Sequence, residues 1–268
     1  MGQRGSPFVE WLAEKLGRVP GPRGGPPGPV SQDPARPKPP GPVPTGPVPS
    51  RPGAPPVFTA DFSSTDQWVA GRSWAYPNGG PTNPGDNKLD HLSPDAEFSR
   101  DGVFRASRRS DGYWDTGLLT TEGSEDGFMV RTGDVLEARV RLPAEIGAWP
   151  AIWTWRDGGN EIDVFEYHPD NPDLLELTNH VRGGQRYFTD AAIAPGAWVD
   201  LRVEFRRWSV VWWVNGVRVF ADNRGVGWFW RAYLIVNLSV CAGAFHPAPE
   251  PSVDTMSYEV AYLRVYRP

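Results

Sequence analysis

The chain has 268 residues, a formal net charge of −5 and 39% hydrophobic content, with 13 Trp against 3 Met and 1 Cys. That length and apolar content fit one large β-domain or two small ones with a real core, while the acidic balance argues against nucleic acid or an anionic membrane, which call for a basic field. With Cys241 alone there is no internal disulfide, so cysteine usage says nothing of compartment. So much indole predicts exposed aromatic platforms as well as core.

The opening stretch, "MGQRGSPFVEWLAEKLGRV", lacks the continuous apolar region of a secretory signal, and nothing along the chain is long enough to span a bilayer. Ser6 as N-cap, Pro7 at the first helical position, then Phe8, Leu12 and Leu16 at helical spacing with Gly17 at the stop predict a short helix within residues 1–19. Residues 20–56 are dominated by Pro and Gly. Such a segment cannot bury enough surface to offset chain entropy and reads as a disordered or polyproline linker, and its glycines hold no collagen period.

From 57 to 268 the chain reads as strands. In "VLEARVRL", Leu136, Ala138, Val140 and Leu142 alternate with Glu137, Arg139 and Arg141, the pattern of a strand with one face in a core and one in water. "SVVWWVNGVRVF" is two β-rich runs joined by Asn215-Gly216, a strong hairpin signal. "LRVEFRRW", "AYLIVNLSV" and "YEVAYLRVY" also fit strands. Many short strands without an internal helix predict an antiparallel sandwich or barrel.

The stretch "WPAIWTW" puts Trp149, Ala151, Trp153 and Trp155 on one strand face and Ile152 and Thr154 on the other. Such a row either crowds a core or lines a groove where indoles stack on sugar rings. "NEIDVFEYH" follows, with Glu161 and Asp163 on one face and Glu166 of opposite parity. A β-bulge between Asp163 and Glu166 would turn all three to one side, as glycosidic hydrolysis by paired carboxyls requires; a plain strand would leave Glu166 on the far face.

Residues 149–168, "WPAIWTWRDGGNEIDVFEYH", resemble the active-site strands of glycoside hydrolase family 16 in its bulged E-x-D-x-x-E form, that of members related to β-1,3-glucanases (laminarinases). "DTGLLTT", "GDVLEARVRLP", "YLIVNLSV" and "YEVAYLRVY" extend the resemblance over roughly 58–267. It implies an all-β antiparallel jelly-roll sandwich with a concave substrate cleft, Glu161 as nucleophile, Asp163 as assisting carboxylate and Glu166 as general acid/base, with His180 of "TNHVRG" beside them. Trp149, Trp153, Trp155, Trp228, Trp230 and Asn237 are the remaining candidates for substrate binding.

The implied function is a retaining endo-β-glycanase acting on β-1,3-glucan or a related polysaccharide as a monomer, without cofactor. Two alternatives are a non-catalytic carbohydrate-binding module and a particle-associated glycan-binding protein on the same fold. The chain departs from the family at Ala261, where an Asp helps hold a structural calcium, at Asn160 before the nucleophile, and at "CAG" (241–243) in place of Gly-Gly. These put the calcium site in question and predict an altered cleft. The family implies action outside the cell, yet no signal peptide is read, so localisation stays open.

Overall fold

The computed structural model describes residues 55–268. The helix expected within 1–19 and the linker expected over 20–56, apart from Pro55 and Pro56, lie outside them. The described residues form two facing, antiparallel-rich sheets, the expected jelly-roll sandwich. One sheet runs, edge to edge, through Val217–Ala221, Val210–Val214, Trp198–Phe205, Val135–Arg141, Thr255–Tyr266, Val103–Arg108, Trp114–Thr116 and Asp90–Leu92, with Phe58–Thr59 also paired to Thr255–Tyr266. The other runs through Gly184–Thr189, Leu174–Asn179, Ile162–Tyr167, Ala148–Trp155, Arg231–Val240, Leu118–Thr120 and Val69–Ala70, with Met129–Arg131 also paired to Arg231–Val240. The two short strands Asp90–Leu92 and Trp114–Thr116 pair in parallel.

Period-two patterning decides which side chains fill the space between the sheets. Leu136, Ala138 and Val140 face inward from one sheet, Ile152, Val164, Phe165, Leu234, Val236 and Leu238 from the other, and all are buried in one core. Glu137, expected in water, is instead buried, and the Arg202 guanidinium donates to its carboxylate at 2.6 Å, so the charge stays paired. The Asn215-Gly216 hairpin forms as expected: both residues have positive φ, 49° and 79°, which matches the twist of a two-residue loop.

Two hydrogen bonds tie the first sheet to the strands that carry the acids. Trp212 Nε1 donates to the backbone oxygen of Asp163 at 3.1 Å, and the Tyr258 hydroxyl donates to that of Ala151 at 3.3 Å. Both donors are buried, so each bond satisfies a polar group that would otherwise destabilise the core.

Candidate active site

The parity question at Glu166 is answered by register. Against Leu174–Asn179, Asp163 lies opposite Thr178 and Glu166 opposite Glu176, so three steps on one strand match two on the other. Against Ala148–Trp155, Asp163 lies opposite Trp153 and Phe165 opposite Ile152, which makes Val164 the extra residue. Ile162, Val164, Phe165 and Tyr167 all enter the core. Glu161, Asp163 and Glu166 are left together on the outer face of the sheet.

That face is walled by the aromatic strand. Trp153 and Ala151 pack in a small outer cluster with Tyr76, Leu92, Leu118 and Ile235, against which Trp155 leans. Trp153 Nε1 donates to Asn237 Oδ1 at 2.8 Å, and Asn237 Nδ2 donates to Ser239 at 2.8 Å, fixing the indole edge. Trp149 Nε1 donates to Glu166 Oε1 at 2.9 Å. Trp149, Trp153, Trp155 and Asn237 thus share the face of the acids, with Trp153 and Asn237 largely covered and Trp149 and Trp155 half-buried.

His180 follows the neighbouring strand, and its Nε2 lies 3.0 Å from Asp163 Oδ2. Burial pushes its imidazolium toward neutrality, but the bond to Asp163 and the charges of Asp163 and Glu161 outweigh this and lift it to about 9. Burial, then the Asp163 charge, raises Glu161 to about 8, against the pull of His180 and Lys88. Burial, then Asp163 and Glu176, holds Glu166 well above the usual carboxylate range, against the Trp149 bond. His180 acts on the Glu161 end, so Glu161 is the readier of the two to ionise and Glu166 the readier to keep its proton.

Two aromatic candidates lie elsewhere. Trp230 is a correction: it is 5% exposed, stacks on Phe205 at 5.1 Å within the sandwich core, and its Nε1 donates to the backbone oxygen of Asn160, so it offers no platform. Its parity along Arg231–Val240 matches the inward-facing Ala232 and Leu234. Trp228 is exposed, but it stacks on Arg207 and not on the acids. Asn160 adopts the left-handed conformation at φ 60°, which explains how it stands where glycine is commoner.

Sequence reading missed a buried polar group beneath the indoles. Lys88 lies 4.4 Å from the Trp149 ring and 3.1 Å from Asp86. Although burial opposes its charge, surrounding Tyr76, Asp86 and Asp90 keep it protonated. Tyr76 in turn donates to Asp90, whose second oxygen accepts from the Val240 amide at 2.7 Å. Also missed was a cluster beside Trp149, where His168 and His246 stack face to face at 3.5 Å and His246 Nδ1 lies 2.9 Å from Asp170. Loops carry Lys88 and His246, so no strand period flags them.

Among the described residues, two groups of side chains bring ligand atoms within 4.8 Å of one another: Glu161, Asp163 and His180, and His168, Asp170 and His246. Where the resembled family carries an Asp, Ala261 has no carboxylate to offer; it lies at a register shift, and neighbouring Glu259 is paired with Arg141 at 3.0 Å.

Three carboxyls and a row of indoles therefore share one outer face of the jelly roll. No protein-family model matches the chain. The chain is 26% identical over 171 residues to endo-1,3-1,4-beta-glycanase EglC of Rhizobium meliloti (strain 1021), covering 59% of this chain and 34% of that protein. It is 30% identical over 168 residues to a beta-glucanase of Rhodothermus marinus, covering 49% of this chain and 56% of that one. The matched parts therefore span less than two thirds of these relatives.

Among solved structures, the laminarinase catalytic domain of Thermotoga maritima MSB8 superposes with a TM-score of 0.62 at 19% identity, covering 80% of this chain and 98% of that one. LamAcat of Zobellia galactanivorans gives 0.60 at 19% identity, covering 79% and 97%. These likenesses establish the fold.

Proposed function

We propose that the protein is a glycoside hydrolase of the family 16 type, a retaining endo-β-glycanase acting on β-1,3-glucan or a mixed-linkage relative by double displacement. The observation that carries this reading is the bulge at Val164, which turns Glu166 onto the face of Glu161 and Asp163 beside a row of indoles. Three carboxyls on one face are costly without a task, and the charge of Asp163 raises both Glu161 and Glu166. The β-glucanase relatives support the substrate class.

In this reading Glu161, kept near His180, attacks the anomeric carbon as its carboxylate. Glu166, held protonated by burial and by the charge of Asp163, delivers its proton to the leaving oxygen. The glycosyl ester forms on Glu161. Glu166, now a carboxylate, takes a proton from the incoming water, which cleaves the ester with net retention. Asp163 sits between them and is oriented by His180. Trp149, Trp153 and Trp155 stack on sugar rings, and Asn237 fixes the Trp153 edge. The double displacement uses these side chains alone.

The test is product analysis on laminarin, lichenan, xyloglucan and agarose with the Glu161→Gln variant as control. Oligosaccharides of mixed length from laminarin or lichenan, absent with Glu161→Gln, are expected. Turnover by Glu161→Gln within a few-fold of wild type would remove the nucleophile assignment, and binding without cleavage by the unaltered chain would leave a carbohydrate-binding module.

A further inference from the structure

Outside the cleft, Arg207 lies in the turn between Trp198–Phe205 and Val210–Val214. Its guanidinium carbon lies 3.9 Å from the Trp208 ring centroid and 3.3 Å from that of Trp228, so the cation is clamped between two indoles. Both indoles are 62% exposed, and Phe229 next to them is 95% exposed. These are three of the most exposed large apolar side chains in the described residues, gathered in one place.

The clamped cation has no carboxylate partner among the described residues. Arg207 Nε is buried without a hydrogen bond, and neither Arg207, Arg182 nor Arg224 makes an ion pair among the described residues. The carboxylates of this surface are engaged elsewhere. Glu204 is taken by Arg202 and Arg206, and Asp222 Oδ1 by the amides of Val210, Arg224 and Gly225. Arg182 and Arg224 bond each other's backbone oxygens at 3.3 and 3.0 Å, which brings Arg182 against Gly227, beside the clamp. Burial, then the charge of Arg182, works against the Arg207 cation. An anion in this position would relieve both costs.

We propose that Trp208, Arg207 and Trp228, with Arg182, form a surface slot for the sulfate or carboxylate group of an acidic polysaccharide, whose sugar rings lie on the exposed indoles and Phe229. A planar guanidinium held between rings is preorganised for a two-point bond to an oxyanion. The flat aromatics match sugar faces, and three cations on a chain of net charge −5 suit a sparsely charged glycan better than a continuous polyphosphate. The same loop reaches the cleft end, since Trp230 Nε1 donates to the oxygen of Asn160, the residue before Glu161, at 3.3 Å. The inference goes beyond the catalytic reading and does not need it.

The test is isothermal titration of the full chain, carrying Glu161→Gln to prevent turnover, with four probes: a sulfated oligosaccharide, an oligouronate, a neutral laminari-oligosaccharide and inorganic sulfate. The slot predicts that an acidic oligosaccharide binds at a site that neutral sugar does not compete for, with affinity that falls as salt rises. Arg207→Lys keeps the charge but loses the fork, and should weaken acidic-glycan binding about tenfold, with Arg207→Ala removing it. Arg182→Gln, outside the clamp, should weaken it as well, which keeps the test alive if Arg207→Ala fails to fold. Binding untouched by Arg207→Lys and Arg182→Gln would overturn the proposal. So would inorganic sulfate bound as tightly as the acidic glycan (an adventitious ion only), or neutral sugar bound equally well at the slot.

Discussion

Deleting Val164 tests the bulge where it bears on function. The pairs that flank it, Asp163 with Trp153 and Phe165 with Ile152, are consecutive on the Ala148–Trp155 strand. Removing the extra residue therefore leaves a regular ladder in which Phe165 and Tyr167, both fully buried, keep facing the core, and Glu166 stays opposite Ala151 on the cleft face. The loss is one fully buried Val side chain and the local twist of the bulge, about 2–3 kcal/mol for transfer and cavity together. For a domain of this size that corresponds to a fall in Tm of about 4–12 °C. Calorimetry and kcat/KM on laminarin measure both halves. The variant should fold, melt lower by that amount and keep an acid/base-dependent activity above that of Glu166→Ala. If it matches Glu166→Ala in residual rate and in rescue by azide, the deletion has turned Glu166 into the core and the register argument is wrong.

Glu166→Ala itself should fold normally and lose most on substrates with poor leaving groups, and azide should partly restore cleavage of activated aryl glycosides; full activity on polysaccharide would place the acid elsewhere. Glu161→Gln should stabilise the fold as pH rises. Glu161 is raised from about 4.5 to about 8, so in that window the folded protein holds a proton that the unfolded chain releases, and wild-type stability falls with pH until it levels above about 8. Unfolding midpoints of the two proteins should therefore diverge between pH 5 and about 8, and parallel curves would contradict the burial of that carboxyl. Trp149→Phe removes the donor 2.9 Å from Glu166 Oε1 and should move the alkaline limb of kcat/KM upward; a downward shift would mean that the bond favours the neutral acid. Removing residues 1–54 should leave turnover of soluble oligosaccharides nearly unchanged, and a truncated chain that cannot fold would give that segment a structural role.

Much of the sandwich was legible because its strands alternate against a single core, as in Leu136, Ala138 and Val140. The aromatic row was readable for the same reason, since Trp149, Ala151, Trp153 and Trp155 keep period two through the strand. The bulge could be posed but not decided from spacing, because Val164 and Phe165 are both apolar and either parity buries one of them. Pairing with two neighbours, a long-range property, resolves it. Trp230 misled because three consecutive aromatics in "WFW" carry no period, and its place depends on the strand that follows. Lys88 and the His168–His246 stack escaped because distant loops meet there, and Glu137 because its partner Arg202 comes from another strand.

The most direct measurement of the central claim is the anomeric configuration of the first product, followed by proton NMR in the opening minutes of laminarin cleavage, before mutarotation. Attack by Glu161 and return of water with Glu166 as base predict that the β-anomer appears first and the α-anomer grows in later. First appearance of the α-anomer would mean a single displacement by water. It would contradict the assignment of Glu161 as nucleophile.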